Sequence, residues 1–321
     1  MYLFKTMSEV LKYRAPIYGL MAIWIMLFHI HGHGGVGMPH VLVFLSPIIA
    51  RGNMGVDVFL FLSGYCLVSS YEKSTLGQFY KKRIIRLLLP YVIIATPFYI
   101  WKSCVTDSNF IFDLSGISYW LDGMQWTWFV NAILLCYALF PFFYKIVVGG
   151  GKNTCALILG IYTVLIVAYF LCGSRYVAAG NAYLRLPVFL WGIVAKVYDV
   201  KFNKVQLIVM AILGGASVAI LHKFGLDFFI RLSLSLFVVP LIYVLAFVFS
   251  KAKTVFLSYS GSISLELYLA HILAINLFAF YGYMEIIGYY SYIVIPVIAY
   301  ILSIISKRIT DLYESSCCRR F

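Results

Sequence analysis

Residues 154–172 read TCALILGIYTVLIVAYFLC, a continuous stretch without a charged side chain. An α-helix of that length rises about 28 Å at about 1.5 Å per residue, close to the hydrocarbon thickness of a bilayer. The stretch lacks the alternation of apolar and polar residues that a membrane β-strand requires. It therefore predicts a transmembrane α-helix, and similar runs recur along the whole chain.

The overall composition excludes a soluble globular protein. Of the 321 residues, 63% are hydrophobic and 12% are charged, with a mean hydropathy of +0.94. A soluble domain carries about 25% charged residues. The net charge of +13 would suggest nucleic acid in a soluble chain, but basic residues flank membrane spans as topology signals and contact anionic lipid. We expect membrane lipids as partners and no nucleic acid.

Hydropathy predicts an all-α, polytopic bundle of about ten spans. Counted over the loops and the span ends, 19 of the 25 Lys and Arg residues fall on one side of the membrane and six on the other. Because cytoplasmic loops are enriched in basic residues, both termini are predicted to be cytoplasmic. We expect one membrane domain, 1–321, whose first apolar run is retained. The predicted spans lie near 14–32, 55–71, 84–101, 127–146, 154–172, 183–198, 206–222, 228–249, 262–281 and 287–306.

Ionisable residues recur inside these apolar segments, where they are costly and usually functional. Arg14 and His29 mark the two ends of the first span, and Asp57 opens the second. Arg83 and Arg86 begin the third span and share one helix face at i, i+3. Further along the chain, the sixth span begins with Arg185, and the ninth carries Glu266 and His271.

No metal site is expected from the sequence. The seven cysteines do not show the spacing of metal ligands. His31, His33 and His40 lie in a Gly-rich segment without carboxylates or thiolates nearby in the sequence. These histidines are therefore interpreted as loop residues.

Six short patterns occur in order between about residues 14 and 271. They are His29 preceded by Arg14, GVDVFLFLSG at 55–64, RIIRLLLP at 83–90, WFVNAILLCYALFP at 128–141, RLPVFLWG at 185–192 and SLELYLAH at 264–271. In this combination the chain resembles the integral-membrane acyltransferase family three, a large bacterial group that acylates cell-surface carbohydrates. The family carries a basic residue eleven positions before the histidine, where this chain has Tyr18. Arg14, one helical turn earlier, is interpreted as its counterpart.

The resemblance implies transfer of an acyl group, usually acetyl from acetyl-CoA, to a hydroxyl of a cell-surface or lipid-linked glycan. It implies the bacterial plasma membrane as location, with acyl-CoA as a donor substrate and no tightly bound cofactor. His29 would act as the general base or carry the acyl group transiently, and Asp57 would orient it. Arg14, Arg83 and Arg86 would bind the CoA phosphates. The expected acceptor-binding residues are Arg185, Trp126, Trp128 and Glu266.

Several alternatives stay open at this stage. Glu266 is equally compatible with a structural pairing inside the bundle, and His271 is expected to be a structural hydrogen-bonding residue. A transporter or flippase for a lipid-linked sugar is the second functional hypothesis, although the chain lacks two recognisably repeated halves. A catalytically inactive assembly component is the third. The sequence leaves open the glycan, acetyl versus succinyl transfer, and the oligomeric state.

Overall fold

The computed structural model describes residues 6–33, 37–123, 128–178, 180–226 and 229–318, with the side chains of 172–178, 231 and 316–318 outside the description. Helices dominate these ranges, and no strand occurs in them, so the all-α class is confirmed. Short 3-10 helices cover Leu11–Tyr13, His40–Leu45 and Gly288–Tyr290. The α-helices are α1 (Met7–Val10), α2 (Arg14–Gly32), α3 (Ser46–Ile49), α4 (Met54–Tyr71), α5 (Leu76–Val105), α6 (Phe110–Ser115), α7 (Ile117–Asp122), α8 (Trp128–Val148), α9 (Gly151–Ala178), α10 (Gly180–Tyr183), α11 (Leu186–Val197), α12 (Lys204–Lys223), α13 (Ile230–Phe249), α14 (Val255–Ser262), α15 (Ser264–Phe280), α16 (Tyr283–Ile287) and α17 (Ser291–Cys318).

Eight of the ten predicted spans coincide with helices of membrane-spanning length, and a ninth, 262–281, coincides with part of the bent pair of α14 and α15. Eight helical segments in the described residues are long and apolar enough to cross a bilayer individually. A ninth crossing is formed if α14 and α15 act together, although the two helices meet at an angle of 77°. The polytopic helical membrane bundle is therefore confirmed.

The tenth predicted span, 183–198, corresponds to the shorter helix α11. Its 12 residues extend about 18 Å, which is less than the about 30 Å hydrocarbon core of a bilayer. Most α11 side chains are buried against protein, and α8, α9 and α13 pack on it. A short helix or irregular backbone is tolerated at membrane depth where protein surrounds it. Hydropathy does not distinguish burial in protein from burial in lipid, so it does not reveal that α11 is shorter than a full span. Both termini lie on the same side of the membrane only if the number of crossings is even, which requires α11 to complete a tenth crossing. The cytoplasmic location of the termini stays a prediction.

The residue contacts divide the chain into two compact units that are interleaved along the sequence. The first unit comprises Met1–Arg14, Val56–Lys81 and Ser118–Lys253. The second comprises Ala15–Gly55, Lys82–Ile117 and Thr254–Phe321. Because each unit is assembled from three separate segments, neither is a sequential domain with a linker of its own.

In the first unit, α12 packs along α13, and α8 packs against α10 and α11. Helices α4 and α11 approach each other at Gly64 and Gly192. A Cβ at Gly64 would overlap the Phe189 carbonyl oxygen, and a Cβ at Gly192 would overlap the Phe61 carbonyl oxygen. Only glycine permits this backbone-to-backbone contact, and small residues play the same role at many membrane helix crossings.

The second unit contains an equivalent crossing. A Cβ at Gly19 on α2 would overlap the Leu257 carbonyl oxygen, and a Cβ at Gly261 on α14 would overlap the Ala15 carbonyl oxygen. The chain then breaks at Ile263 between α14 and α15. Helix α15 packs along α17. This arrangement holds α2 against the α14–α15 pair, which positions the residues described next.

Candidate active site

Two histidines from distant parts of the sequence meet in the second unit. His29 lies in the last turn of α2, and His271 lies on α15. Their Nδ1 and Nε2 atoms, respectively, are 2.9 Å apart, a hydrogen-bond distance. The two rings are nearly parallel, with centroids 5.1 Å apart and an interplanar angle of 22°. The pair therefore brings together two imidazoles that are 242 positions apart in the chain.

The two histidines differ in their surroundings. His271 is fully buried, and its Nδ1 lies 2.8 Å from the Leu267 carbonyl oxygen on the same helix. His29 is half-buried and its ring contacts Phe28 at a centroid distance of 5.2 Å. Within the described part of the chain, the His29 ring forms one hydrogen bond, and it involves Nδ1. The other ring nitrogen, Nε2, forms no hydrogen bond with the described residues.

Asp57, Arg185 and Trp128 form a second buried cluster, which belongs to the first unit. The Arg185 Nε lies 3.1 Å from the Asp57 Oδ1, and both side chains are almost fully buried, at 2% and 3% exposure. The Arg185 guanidinium carbon lies 4.6 Å from the centroid of the Trp128 ring, within cation–π range. Arg185 also donates from Nη1 to the Asn181 carbonyl oxygen at 2.9 Å. The structure thus joins three predicted site residues, and it pairs the Asp57 carboxylate with an arginine.

The predicted phosphate-binding arginines lie near the start of α5. Arg83 is half-buried and Arg86 is exposed. Glu266 is buried in the first turn of α15, where the positive end of the helix dipole favours a carboxylate. Arg86 and Lys307 both lie close enough to Glu266 to interact with it electrostatically. The second unit therefore places two cations within electrostatic range of the Glu266 carboxylate. One of them, Lys307, also forms an ion pair with Asp311 at 2.6 Å, and the sequence did not identify it as a site residue.

The remaining predicted site residues lie apart from these clusters or outside the description. Arg14 is the exposed first residue of α2, and its Nη1 lies 3.4 Å from the Cys66 Sγ. Trp126 lies outside the described residues. The expected roles of Arg14 and Trp126 stay predictions.

The sequence places His31 and His33 in a loop, but His31 lies in the last turn of α2. The His31 Nδ1 is 3.4 Å from the Tyr292 hydroxyl. His33 lies just beyond the helix, and its partial burial lowers the pKa of its imidazole. Neither residue duplicates the pairing of His29 with His271.

Comparison with known proteins gives one family and no individual relatives. The family model for acyltransferase family three, described as an acyltransferase domain, matches residues 19–306. No curated protein and no solved structure matches the chain. The matched range contains His29, His271, Asp57, Arg83, Arg86, Arg185, Trp128 and Glu266. The chain is a multi-pass membrane protein that belongs to acyltransferase family three.

Proposed function

We propose that this acyltransferase moves an acetyl group from acetyl-CoA to a hydroxyl of a cell-surface or lipid-linked glycan. The observation that supports the proposal most directly is the His29–His271 pair, which leaves one imidazole nitrogen of a half-buried histidine available. A hydroxyl is a weak nucleophile near neutral pH and requires a positioned base, for which histidine is the commonest choice. His29 is the residue proposed for that role.

The proposed reaction requires one proton carrier. The Nε2 lone pair of His29 removes the acceptor hydroxyl proton while the hydroxyl oxygen bonds to the thioester carbonyl carbon. The tetrahedral intermediate then collapses, the carbon–sulfur bond breaks, and the CoA thiolate leaves. The resulting imidazolium returns the proton to the thiolate. The products are the O-acyl ester and free CoA, and His29 ends in its starting state.

Arg83 and Arg86 are proposed to bind the phosphates of the donor. Guanidinium groups bind phosphate oxygens through charge-assisted hydrogen bonds. Lys307 also interacts electrostatically with Glu266, although its ammonium group is paired with Asp311. The basic loops that accompany these residues are predicted to be cytoplasmic, where acyl-CoA is available. The proposed location is accordingly the bacterial plasma membrane.

The test is acyl transfer by purified protein in proteoliposomes. With acetyl-CoA labelled in the acetyl group and a lipid-linked glycan as acceptor, the label is expected to appear in the glycan. Arg86→Ala is expected to raise KM for acetyl-CoA by about tenfold, the effect of losing about 1.4 kcal/mol of phosphate binding. Lys81→Ala is the matched control, because Lys81 is an exposed cation on a different face of the same helix.

The same assay distinguishes the alternative function. A flippase would move the lipid-linked sugar across the bilayer without acquiring label from acetyl-CoA. Transport without transfer, with a range of acyl-CoA donors and glycan acceptors, would contradict the proposed reaction. Equal effects of Arg86→Ala and Lys81→Ala on KM would contradict the role of Arg86.

A further inference from the structure

We infer that His271 is a positioning residue that holds His29 in the tautomer with a proton on Nδ1 and a lone pair on Nε2. The inference rests on the proposed function for its catalytic meaning. The hydrogen bonds that carry it involve only described residues of the second unit.

The chain of hydrogen bonds begins at the Leu267 carbonyl oxygen, which can only accept. Because the His271 Nδ1 lies 2.8 Å from that oxygen, Nδ1 carries the proton and donates it. Leu267 precedes His271 by four residues, so the bond lies within one turn of α15. The helix itself therefore fixes both the orientation and the protonated nitrogen of the His271 ring.

The second bond transfers this constraint to His29. A neutral imidazole with a proton on Nδ1 has a lone pair on Nε2. The His271 Nε2 lies 2.9 Å from the His29 Nδ1, so it accepts a hydrogen bond that the Nδ1–H group of His29 donates. His29 then carries its own proton on Nδ1, and its Nε2 is the basic atom. The opposite tautomer would place two lone pairs against each other.

A doubly protonated His271 would reverse this assignment, and its surroundings disfavour it. His271 is fully buried, and a buried charge is costly unless an opposite charge accompanies it. Among the described residues, no carboxylate forms an ion pair with His271, whose polar contacts are the Leu267 carbonyl and His29. The neutral form fits this environment.

The geometry also favours His271 over Asp57 as the residue that orients His29. The His29 Nδ1 already has a partner in His271, and the Asp57 carboxylate is paired with Arg185. In serine proteases a carboxylate holds the histidine tautomer, and its replacement by a residue that reverses the tautomer lowers kcat about 10⁴-fold. Here a neutral histidine, fixed by a backbone carbonyl, supplies the same constraint.

The direct test is nitrogen NMR of protein labelled with ¹⁵N in the histidine rings and reconstituted in lipid nanodiscs. The chain has six histidines, and the signals that disappear in His29→Ala identify His29. We expect the wild-type His29 to show a protonated Nδ1 and an unprotonated Nε2. In His271→Leu the preference is expected to disappear, because leucine has no acceptor. A wild-type His29 with the proton on Nε2 would overturn the inference.

The kinetic test compares His271→Leu with His271→Gln. The glutamine amide oxygen can accept from the His29 Nδ1, so kcat is expected to stay within about tenfold of wild type. The leucine variant is expected to lose at least about 100-fold in kcat, with little change in KM for acyl-CoA. His222→Leu is the matched control, because His222 is exposed at the end of α12.

The two measurements separate the inference from the proposed function. A wild-type protein without acyl-transfer activity would overturn the function, and the NMR result would still decide the hydrogen-bond chain. Wild-type kcat in a folded His271→Leu variant would overturn the positioning role. Equal losses of kcat in folded Leu and Gln variants would overturn it as well, because they would point to packing rather than to an acceptor.

Discussion

The two units of this protein each contain a buried polar cluster, and the two clusters use their side chains differently. In the first unit, Asp57 and Arg185 neutralise each other, and Trp128 covers the guanidinium. In the second unit, His271 pairs with one nitrogen of the half-buried His29, and the other nitrogen forms no hydrogen bond with the described residues. The first cluster joins opposite charges inside the protein, whereas the second aligns a neutral base.

This difference bears on which cluster performs chemistry. A buried ion pair is costly to break, because the remaining partner becomes an uncompensated charge. A neutral histidine can take up a proton and return it within one reaction cycle. It is therefore charged only transiently. We therefore expect variants of the two clusters to separate by activity and by stability.

The largest effect is expected from His29→Gln. Glutamine preserves much of the side-chain volume and can contact His271, but it cannot act as a base. The kcat for acyl transfer should fall about 10²–10⁴-fold, while the unfolding temperature in detergent stays close to that of wild type. His222→Gln serves as the control. Full activity in His29→Gln would contradict a catalytic role of the His29–His271 pair.

The Asp57–Arg185 pair is expected to show the opposite behaviour. Asp57→Asn leaves the buried Arg185 without its carboxylate, so the free energy of unfolding should fall by about 3–5 kcal/mol. The double variant Asp57→Leu with Arg185→Leu should recover much of that loss, because it removes both buried charges. Chemical denaturation in detergent measures both values. An Asp57→Asn protein of wild-type stability without activity would instead assign Asp57 to the chemistry, as the sequence suggests.

The glycine crossings provide a subtler comparison between the units. In Gly192→Ala and Gly19→Ala the new Cβ overlaps a backbone carbonyl, so each should cost about 1–3 kcal/mol of stability. Gly19→Ala should also lower kcat, since α2 carries His29. The control is Gly160→Ala on α9, where the added Cβ meets open space. A Gly19→Ala protein with normal kcat would show that His29 tolerates displacement of α2.

The smallest effect concerns His33, whose pKa is lowered by burial. The unfolded chain then binds a proton more readily than the folded one, so acid favours unfolding. The contribution of His33 to stability is expected to decrease as the pH falls through about 6.5. Unfolding temperatures between pH 8 and pH 5 should therefore depend less on pH in His33→Gln than in wild type. Identical slopes would contradict this effect.

Much of the fold follows from local sequence, because hydropathy is a property of a contiguous segment. Nine of the ten predicted spans coincide with long apolar helices or with the bent α14–α15 pair. The segment 183–198 differs because surrounding helices, and not lipid, cover the short α11. Likewise, no local signal shows that α14 and α15 meet at 77°.

The candidate site could be predicted only in part. The family patterns identified His29, Asp57 and Arg185 as chemically important residues, but they did not reveal which side chains pair. The contact between His29 and His271 joins positions 242 residues apart. Lys307 was counted from the sequence as a topology signal alone, and only the packing of α17 against α15 brings it near Glu266.

By itself, the sequence determined that this chain is a helical membrane protein of the acyltransferase family. The length of the apolar segments and the order of the motifs are properties of the sequence alone. Only the tertiary structure decided the partners: arginine for Asp57, and a second histidine for His29. The physical reason is that a hydrogen bond or ion pair forms between atoms within about 3–4 Å. That proximity depends on how separate helices cross, which here requires glycines such as Gly19 and Gly261.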